Sequence, residues 1–273
     1  MPVAVVTGSS SGIGRATALG LATAGFELVL HAHRNLRGLQ ETAAHIRQLL
    51  SPQPAALLCL TADIADARAC HDLVATAFAW RPQIDAWVNN AGADVLTGAA
   101  RHWSFEERLQ LLLQVDLMGT VRLSRLAAQR MSQRAHAVPA ATAADQLPPT
   151  IINISWDQAP LGMEGEPGQL FGTTKSAIAA FSHSLALSLS GVRVNCVAPG
   201  WIQTSWGQDT ASDYWSQRAI QESLLGRWGT PEDVAQAILW LASPASQFIN
   251  GQTLAVNGGR RYFPQPHFPQ PPG

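Results

Sequence analysis

The sequence predicts an α/β fold in which a doubly wound, parallel sheet of about seven strands is flanked by helices. Short apolar runs alternate with longer segments of helical periodicity, which is typical of βαβ units. The chain has 273 residues, 47% of them hydrophobic, and this suffices to fill the core of one such domain. We expect the domain to span residues 1–263 and a disordered, proline-rich tail to follow at 264–273.

Strands are assigned to apolar runs bounded by Gly, Pro or polar residues. In chain order they cover Pro2–Val6, Phe26–His31, Ala55–Leu60, Ile84–Val88, Thr150–Ile154, Val192–Val197 and Thr253–Val256.

Helical patterns fill the intervals between the strands. The clearest cover Ile13–Thr23, Leu36–Leu50, Phe105–Arg134, Thr173–Ser190 and Pro231–Ala242. The last begins with Thr230 as a suitable N-cap, Pro231 in the first turn and two acidic residues near the positive end of the helix dipole. Residues 135–149 are rich in Ala, Pro and polar side chains and predict a surface loop.

Charge and cysteine content exclude several classes of partner. The 18 basic and 19 acidic residues nearly cancel and form no long run of one sign, so we expect neither nucleic acid nor a membrane surface as a partner. No signal-like or membrane-spanning stretch is present, and we expect a cytoplasmic protein. Three scattered cysteines do not form a disulfide framework, and we expect Cys59 and Cys196 in the core.

A glycine-rich segment follows the first predicted strand and begins the first helix. Its glycines let the backbone turn tightly and approach a pyrophosphate, and the helix N-terminus supplies unpaired N–H groups. A plain tight turn is the alternative, but the position directly after an N-terminal strand favours dinucleotide binding. The candidate binding residues are Gly8, Ser10, Ser11, Gly12, Ile13 and Gly14.

The residues after the second strand indicate which dinucleotide binds. An NAD site places an acid here to hold the ribose hydroxyls, whereas residues 31–35 contain none. Arg34, with help from Arg15, suits the 2′-phosphate of NADP(H) instead, and the alternative is that Arg34 is only a solvated surface charge. The candidate residues are Ala32, His33, Arg34 and Asn35.

Together with five ordered motifs, these residues resemble the short-chain dehydrogenase/reductase family over Val3–Gly259. The resemblance implies a Rossmann-type sheet of order 3-2-1-4-5-6-7, NADP(H) binding, a small-molecule substrate and a homo-oligomer, either dimer or tetramer. His33-Arg34 and an acid after the fifth strand are similar to the pteridine reductase branch. The further motifs are Asp63-Ile64, Asn89-Asn90-Ala91-Gly92, the segment from Pro199 and Gly200 through Ile202 to Thr204, Gly226–Asp233 and Gly251–Gly259.

The resemblance also implies a catalytic tyrosine four residues before a lysine, and here the chain departs from the family. Lys175 is present and is the only lysine, but Phe171 stands at the tyrosine position and has no proton to donate. Lysine in this family also binds the nicotinamide ribose, a role that arginine's planar fork would not imitate. Lys175 is therefore a candidate for both cofactor binding and catalysis.

Two more catalytic positions differ from the family pattern. Asp116 stands where a catalytic asparagine is expected, and Trp156 stands at the serine position. The span from Asn153 to Phe171 is about two residues longer than expected, so Ser155 or Asp157 could replace that serine, and the sequence leaves both open.

Two functions remain open at this stage. One is an NADP(H)-dependent reductase of a small organic substrate, either a carbonyl or an imine, iminium or pterin-like heterocycle. A cationic substrate would not need the tyrosine, because hydride addition to a cation gives a neutral amine directly. Asp116, Asp157, Glu164 and Glu166 would stabilise such a cation, although both glutamates could simply face water. Tyr214 is a lesser candidate for a displaced acid, and Trp206 and Trp215 could line an apolar pocket. The alternative is a non-catalytic NADP(H)-binding sensor or inactive subunit.

Overall fold

A computed structural model describes residues 1–53, 55–137, 147–204 and 213–261, apart from the side chains of 134–137. The predicted tail at 264–273, Trp206 and most of the predicted loop at 135–149 lie outside the described residues. Within the described ranges no helix is long and apolar enough to cross a membrane.

One seven-stranded parallel sheet has the order β3-β2-β1-β4-β5-β6-β7, which confirms the predicted fold class. Each predicted strand ends within two residues of the observed one. The strands are β1 Val3–Val6, β2 Glu27–Ala32, β3 Leu57–Thr61, β4 Ala86–Asn89, β5 Thr150–Ile154, β6 Arg193–Pro199 and β7 Thr253–Val256.

Eight α-helices connect or follow these strands in the described residues. They are α1 Gly12–Thr23, α2 Leu36–Leu50, α3 Ala67–Trp80, α4 Phe105–Leu112, α5 Thr120–Ala137, α6 Gly165–Ser188, α7 Asp213–Glu222 and α8 Pro231–Leu241. Short 3₁₀ turns lie at Ala100–His102 and Pro244–Ser246.

Two helix predictions were wrong in their bounds. The helix predicted over Phe105–Arg134 is interrupted by a π-helical turn at Leu113–Gly119, which widens the helix where Asp116 is buried. The helix predicted from Thr173 already begins at Gly165, because proline is tolerated in a first helical turn and glycine adopts the positive φ of 79° found at that end.

The core lies on both faces of the sheet, as expected for a doubly wound fold. Helices α1, α2 and α8 cover one face, and α3, α5 and α6 cover the other. Cys59 is exposed because β3 is an edge strand, so its predicted place in the core was wrong, whereas Cys196 is buried. Since all strands are parallel, the loops after β1, β2, β4, β5 and β6 meet along one edge.

Candidate active site

A polar cleft of about 610 Å³ runs along this edge of the sheet. It is formed by the loops after β1, β2, β3 and β4. Most of the predicted cofactor residues line it: Gly8, Ser10, Ser11, Gly12, Ile13, Ala32, His33, Arg34, Asn35, Asp63, Ile64, Asn90, Ala91, Gly92 and Thr204. Gly14 does not line the cleft and instead shapes the loop beneath it.

The loop after β1 is built for close approach of a ligand to the backbone. A Cβ on Gly8 would lie 2.8 Å from Ala91 Cα, and a Cβ on Gly14 would overlap the Gly8 carbonyl oxygen. Ser11 at the N-cap of α1 makes no side-chain hydrogen bond to the helix, and no acid lies in the first turn. The N-terminal N–H groups and the helix dipole are therefore available to an anion, which fits the pyrophosphate of a dinucleotide.

His31 supports this loop from below, a role that sequence reasoning missed. Its Nδ1 lies 3.4 Å from the Gly8 backbone nitrogen and its Nε2 3.1 Å from the Ala62 carbonyl oxygen. Burial lowers the pKa of His31 to about 4. The neutral imidazole therefore donates from Nε2 and accepts the Gly8 N–H at Nδ1.

The end of the cleft next to β2 and α2 has one arginine among its described lining residues. Arg34 is exposed on the cleft wall, and Asn35 caps α2 by accepting the Gly38 N–H. The Arg15 guanidinium donates to the Ser10 and Gly38 carbonyls and to Glu41, so its expected help in phosphate binding stays a prediction. Of the two arginines, Arg34 is the one that lines the cleft.

A second cavity, of about 460 Å³, continues from the cleft toward β5 and β6. Apart from Lys175, its side chains are mostly aliphatic or aromatic. The lining residues are Ile13, Leu96, Ile154, Ser155, Trp156, Met163, Pro167, Phe171, Lys175, Pro199, Gly200, Trp201, Ile202, Thr204, Trp215 and Trp228. No group of three or more metal-ligating side chains occurs among the described residues.

A buried ion pair lies at the inner end of this cavity. Lys175 Nζ is 2.9 Å from Asp116 Oδ2, and the two side chains are only 15% and 2% exposed. The other carboxylate oxygen, Oδ1, accepts the Ala93 N–H at 2.8 Å, and Lys175 also donates to the Ile154 carbonyl at 3.5 Å. Lys175 faces the cavity while Asp116 lies behind it, outside the lining residues.

Aromatic side chains occupy the wall beside Lys175. Phe171 lies one helical turn before Lys175 on α6, and its ring meets Trp156 edge to face with 6.4 Å between centroids. Ser155 also lines the cavity, but its hydroxyl donates to the Lys175 carbonyl at 2.8 Å. The wall beside Lys175 therefore offers a substrate apolar rings, and its one hydroxyl is already engaged.

Asp157 does not line the cavity, so its place as a substitute for the catalytic serine stays a prediction that this arrangement does not favour. Its Oδ2 accepts a hydrogen bond from Asn257 at 2.9 Å and lies 3.9 Å from Arg260. Burial raises the pKa of the Asp157 carboxyl. The loop after β5 thus turns Trp156, rather than Asp157, toward the cavity.

The two glutamates before and within the first turn of α6 form ion pairs instead of an acidic pocket. Glu166 pairs with Arg108, and Glu164 pairs with Arg218. Burial opposes ionisation of Glu164, but the hydrogen bonds from Arg218 hold its pKa below the ordinary value. Neither glutamate lines the cavity, so neither is placed to stabilise a cation there. The alternative, that both simply face water, leaves out their ion pairs with arginine.

A tryptophan cluster on the far wall was only partly foreseen. Trp201 contacts Trp215 and Trp228 at centroid distances of 5.6 and 6.0 Å, and its indole N–H donates to Glu222 at 2.9 Å. Tyr214, the proposed displaced acid, is not a lining residue, and its hydroxyl lies 3.4 Å from Arg218 Nη1. The only hint of this aromatic wall in the sequence is the number of tryptophans in the segment after β6.

The doubly wound sheet, with its glycine-rich loop and the two adjoining cavities, has the architecture of a nucleotide-dependent oxidoreductase. Comparison with known proteins identifies the family. A family profile described as Enoyl-(Acyl carrier protein) reductase matches residues 8–261. The chain belongs to the short-chain dehydrogenase/reductase family.

Relatives of this family align along almost the whole chain. The short-chain reductase protein NovJ of Streptomyces niveus is 33% identical, with 94% of this chain and 93% of the relative covered. The 3-oxoacyl-[acyl-carrier-protein] reductase of Synechocystis is 32% identical, with coverage of 96% and 97%. A solved short-chain dehydrogenase/reductase variant of Serratia marcescens superposes with a TM-score of 0.80 at 26% identity, covering 94% of this chain and 97% of that one.

Proposed function

We propose that the protein is an NADP(H)-dependent reductase of a small organic substrate, with an active site that supplies no tyrosine proton. The observation that carries this proposal is the apolar wall formed by Phe171 and Trp156 directly beside Lys175 in the inner cavity. Curated relatives named as reductases and dehydrogenases support an oxidoreductase.

NADP(H) would lie across both cavities. Gly8, Gly12 and the start of α1 would hold the pyrophosphate, and Arg34 would pair with the 2′-phosphate. Lys175 would hold the nicotinamide ribose, and the loop from Pro199 to Thr204 would lie along the nicotinamide. The bound cofactor would supply hydride.

The residues of the inner cavity favour a substrate that needs no proton from the protein. When hydride adds to an iminium carbon, the C=N π electrons become the nitrogen lone pair, so a neutral amine forms directly. When hydride adds to a ketone, an alkoxide forms and requires a proton. A cyclic iminium is therefore favoured over a carbonyl. A pterin-like substrate is supported less, because the acid expected after β5, Asp157, does not line the cavity.

Calorimetric titration with NADPH and NADH tests the cofactor assignment. We expect Arg34→Glu to weaken NADPH binding by about 10- to 100-fold and to change NADH binding little, because charge-assisted hydrogen bonds to the phosphate are lost. Arg37→Glu is the matched control, since Arg37 is exposed and does not line the cleft. Equal effects of both variants on NADPH would contradict the assignment.

NADPH oxidation with a cyclic iminium and with a ketone of similar shape tests the reaction. We expect oxidation with the iminium and little with the ketone. A non-catalytic NADP(H)-binding protein is the second candidate, favoured by the replacement of hydroxyl-bearing side chains with Phe171 and Trp156. Tight NADPH binding without oxidation by either compound would support that candidate.

Self-association and a cytoplasmic location extend the proposal. Leu187 on α6 and Phe248 before β7 are large apolar side chains exposed at 77% and 99%. Single exposed apolar residues also occur on monomers, so the homo-oligomer is proposed from the family likeness, and light scattering of the purified protein tests it.

A further inference from the structure

We propose that Asp116 sets the charge preference of the inner cavity by neutralising Lys175, so that the cavity accepts a planar, cationic heterocycle. This inference rests on the proposed reductase function and adds a specificity-determining residue to it. Asp116 acts through Lys175, so it is a positioning residue rather than one that touches substrate.

The hydrogen bonds of Asp116 show what a carboxylate adds at this position. One oxygen accepts from Ala93 and the other from Lys175, and both donors are fixed by the fold. An asparagine has only one acceptor oxygen, so its NH₂ group would face either the Ala93 N–H or the ammonium. A Cβ on Gly92 would approach Asp116 Oδ2 to 3.0 Å, which shows how closely the carboxylate is enclosed.

The ion pair changes the electrostatic field inside the cavity. An unpaired ammonium would repel a cation strongly in this partly buried site, whereas a carboxylate at 2.9 Å cancels most of that field. The described lining residues contribute no other charged side chain. What remains are the rings of Trp156, Phe171 and Trp201, whose faces attract cations.

Size and shape of the cavity agree with this ligand class. The volume of about 460 Å³ would be shared by the nicotinamide ring of the proposed cofactor and a substrate of one or two fused rings. Flat aromatic side chains stand on both sides of it, with Phe171 and Trp156 on one wall and Trp201 and Trp215 on the other. A planar aromatic cation would therefore contact aromatic side chains on each side, although Arg218 already lies over the Trp215 ring, 5.3 Å from its centroid.

Binding of two matched probes to the full chain without cofactor tests the inference. N-methylisoquinolinium is the cationic probe, and N-methylisoquinolone is its neutral counterpart of nearly equal shape. Affinities are measured by calorimetry, with tryptophan fluorescence as a second signal. We expect the parent protein to bind the cation at least as tightly as the neutral probe.

In Asp116→Asn, we expect cation affinity to fall roughly 10- to 100-fold relative to the neutral probe, because the charge of Lys175 is no longer cancelled. In the double variant Asp116→Asn/Lys175→Met, cation affinity should return to the parental level or exceed it. Glu166→Gln removes the same charge from outside the cavity and should leave the ratio of the two affinities unchanged.

The double variant keeps the inference falsifiable if Asp116→Asn folds poorly, because it buries no unpaired charge. A cation-to-neutral ratio that is unchanged in Asp116→Asn, or not restored in the double variant, would overturn the inference. Failure of the proposed function is distinguishable, since it would leave these ratios as expected while NADPH oxidation with iminium compounds is absent.

Discussion

Replacing Phe171 with tyrosine places a phenol next to Lys175 and tests how Asp116 controls that lysine. The two positions are four residues apart on α6 and therefore neighbours on one helix face. Phe171 is partly buried, since it lines the cavity and also packs against the small core cluster of Val95, Leu112 and Leu170. A positioned general acid is worth about 10²- to 10⁴-fold in rate, or about 3–5 kcal/mol.

The expected size of the effect depends on the ion pair. An ammonium about 4 Å from a phenol stabilises the phenolate by about 4 kcal/mol at an effective dielectric constant of about 20, which lowers the phenol pKa by about 3 units. Asp116, 2.9 Å from Lys175 Nζ, cancels most of this effect. In Phe171→Tyr alone, the introduced tyrosine should therefore titrate near its ordinary value of about 10.

In Phe171→Tyr/Asp116→Asn, the pKa of the introduced tyrosine should fall by about 2 units, and ketone reduction should rise at least about tenfold over the single variant. Phenolate absorbance measures the pKa, because Tyr214 and Tyr262 are the only other tyrosines. Phe248→Tyr, at a 99% exposed position, provides the reference titration. A strongly lowered pKa in the single variant would refute the neutralisation of Lys175 by Asp116.

Two further predictions concern the loop after β1. Gly14→Ala should cost about 1–3 kcal/mol of stability and abolish dinucleotide binding, because the new Cβ would overlap the Gly8 carbonyl oxygen. Gly172→Ala in helix α6 is the control. Its Cβ would meet no atom of another part of the structure within 4 Å, so it should stabilise the protein by about 0.5–1 kcal/mol. Urea unfolding and NADPH titration check both. The pKa of His31 is lowered from 6.5 to about 4, so between these pH values the unfolded chain binds a proton that the folded chain does not. Stability should therefore decrease by about 3 kcal/mol as the pH is lowered from 6.5 through about 4. Urea unfolding at both pH values should show this His31-dependent decrease in the parent protein and not in His31→Gln.

The positions of the strands were predictable because each of the seven is a short, largely apolar run with clear boundaries. Their order followed from the family resemblance and not from the apolar pattern. Helix α3, Ala67–Trp80, was harder to recognise, since its many alanines weaken the contrast between its buried and exposed faces. The start of α6 was missed for a different reason. Gly165 and Pro167 are typical of loops, yet both residue types are also compatible with a helix N-terminus.

In the candidate site, the sequence predicted which residues line the cleft better than it predicted which side chains form ion pairs with each other. Motifs next to strand ends indicated which residues line the cleft, because parallel strands bring their carboxyl ends together. Pairs such as Glu164 with Arg218 join residues 54 positions apart, and no local pattern specifies them. Lys175 and Asp116 were each singled out from motifs, but their direct contact depends on the π-helical turn in the middle of a predicted regular helix.

On the proposed function, the residues at 116, 156 and 171 are physically interdependent. With phenylalanine at 171, the charge of Lys175 would have no phenol at that position to act on and would repel a cationic substrate. Asp116 would remove that repulsion and leave a Lys175 N–H to donate toward a ribose hydroxyl. A serine at 156 would likewise have no tyrosine at 171 to assist. Residues that act as a unit give non-additive effects. We therefore expect the gains in carbonyl reduction from the single variants Asp116→Asn, Trp156→Ser and Phe171→Tyr to multiply to less than the gain of the triple variant.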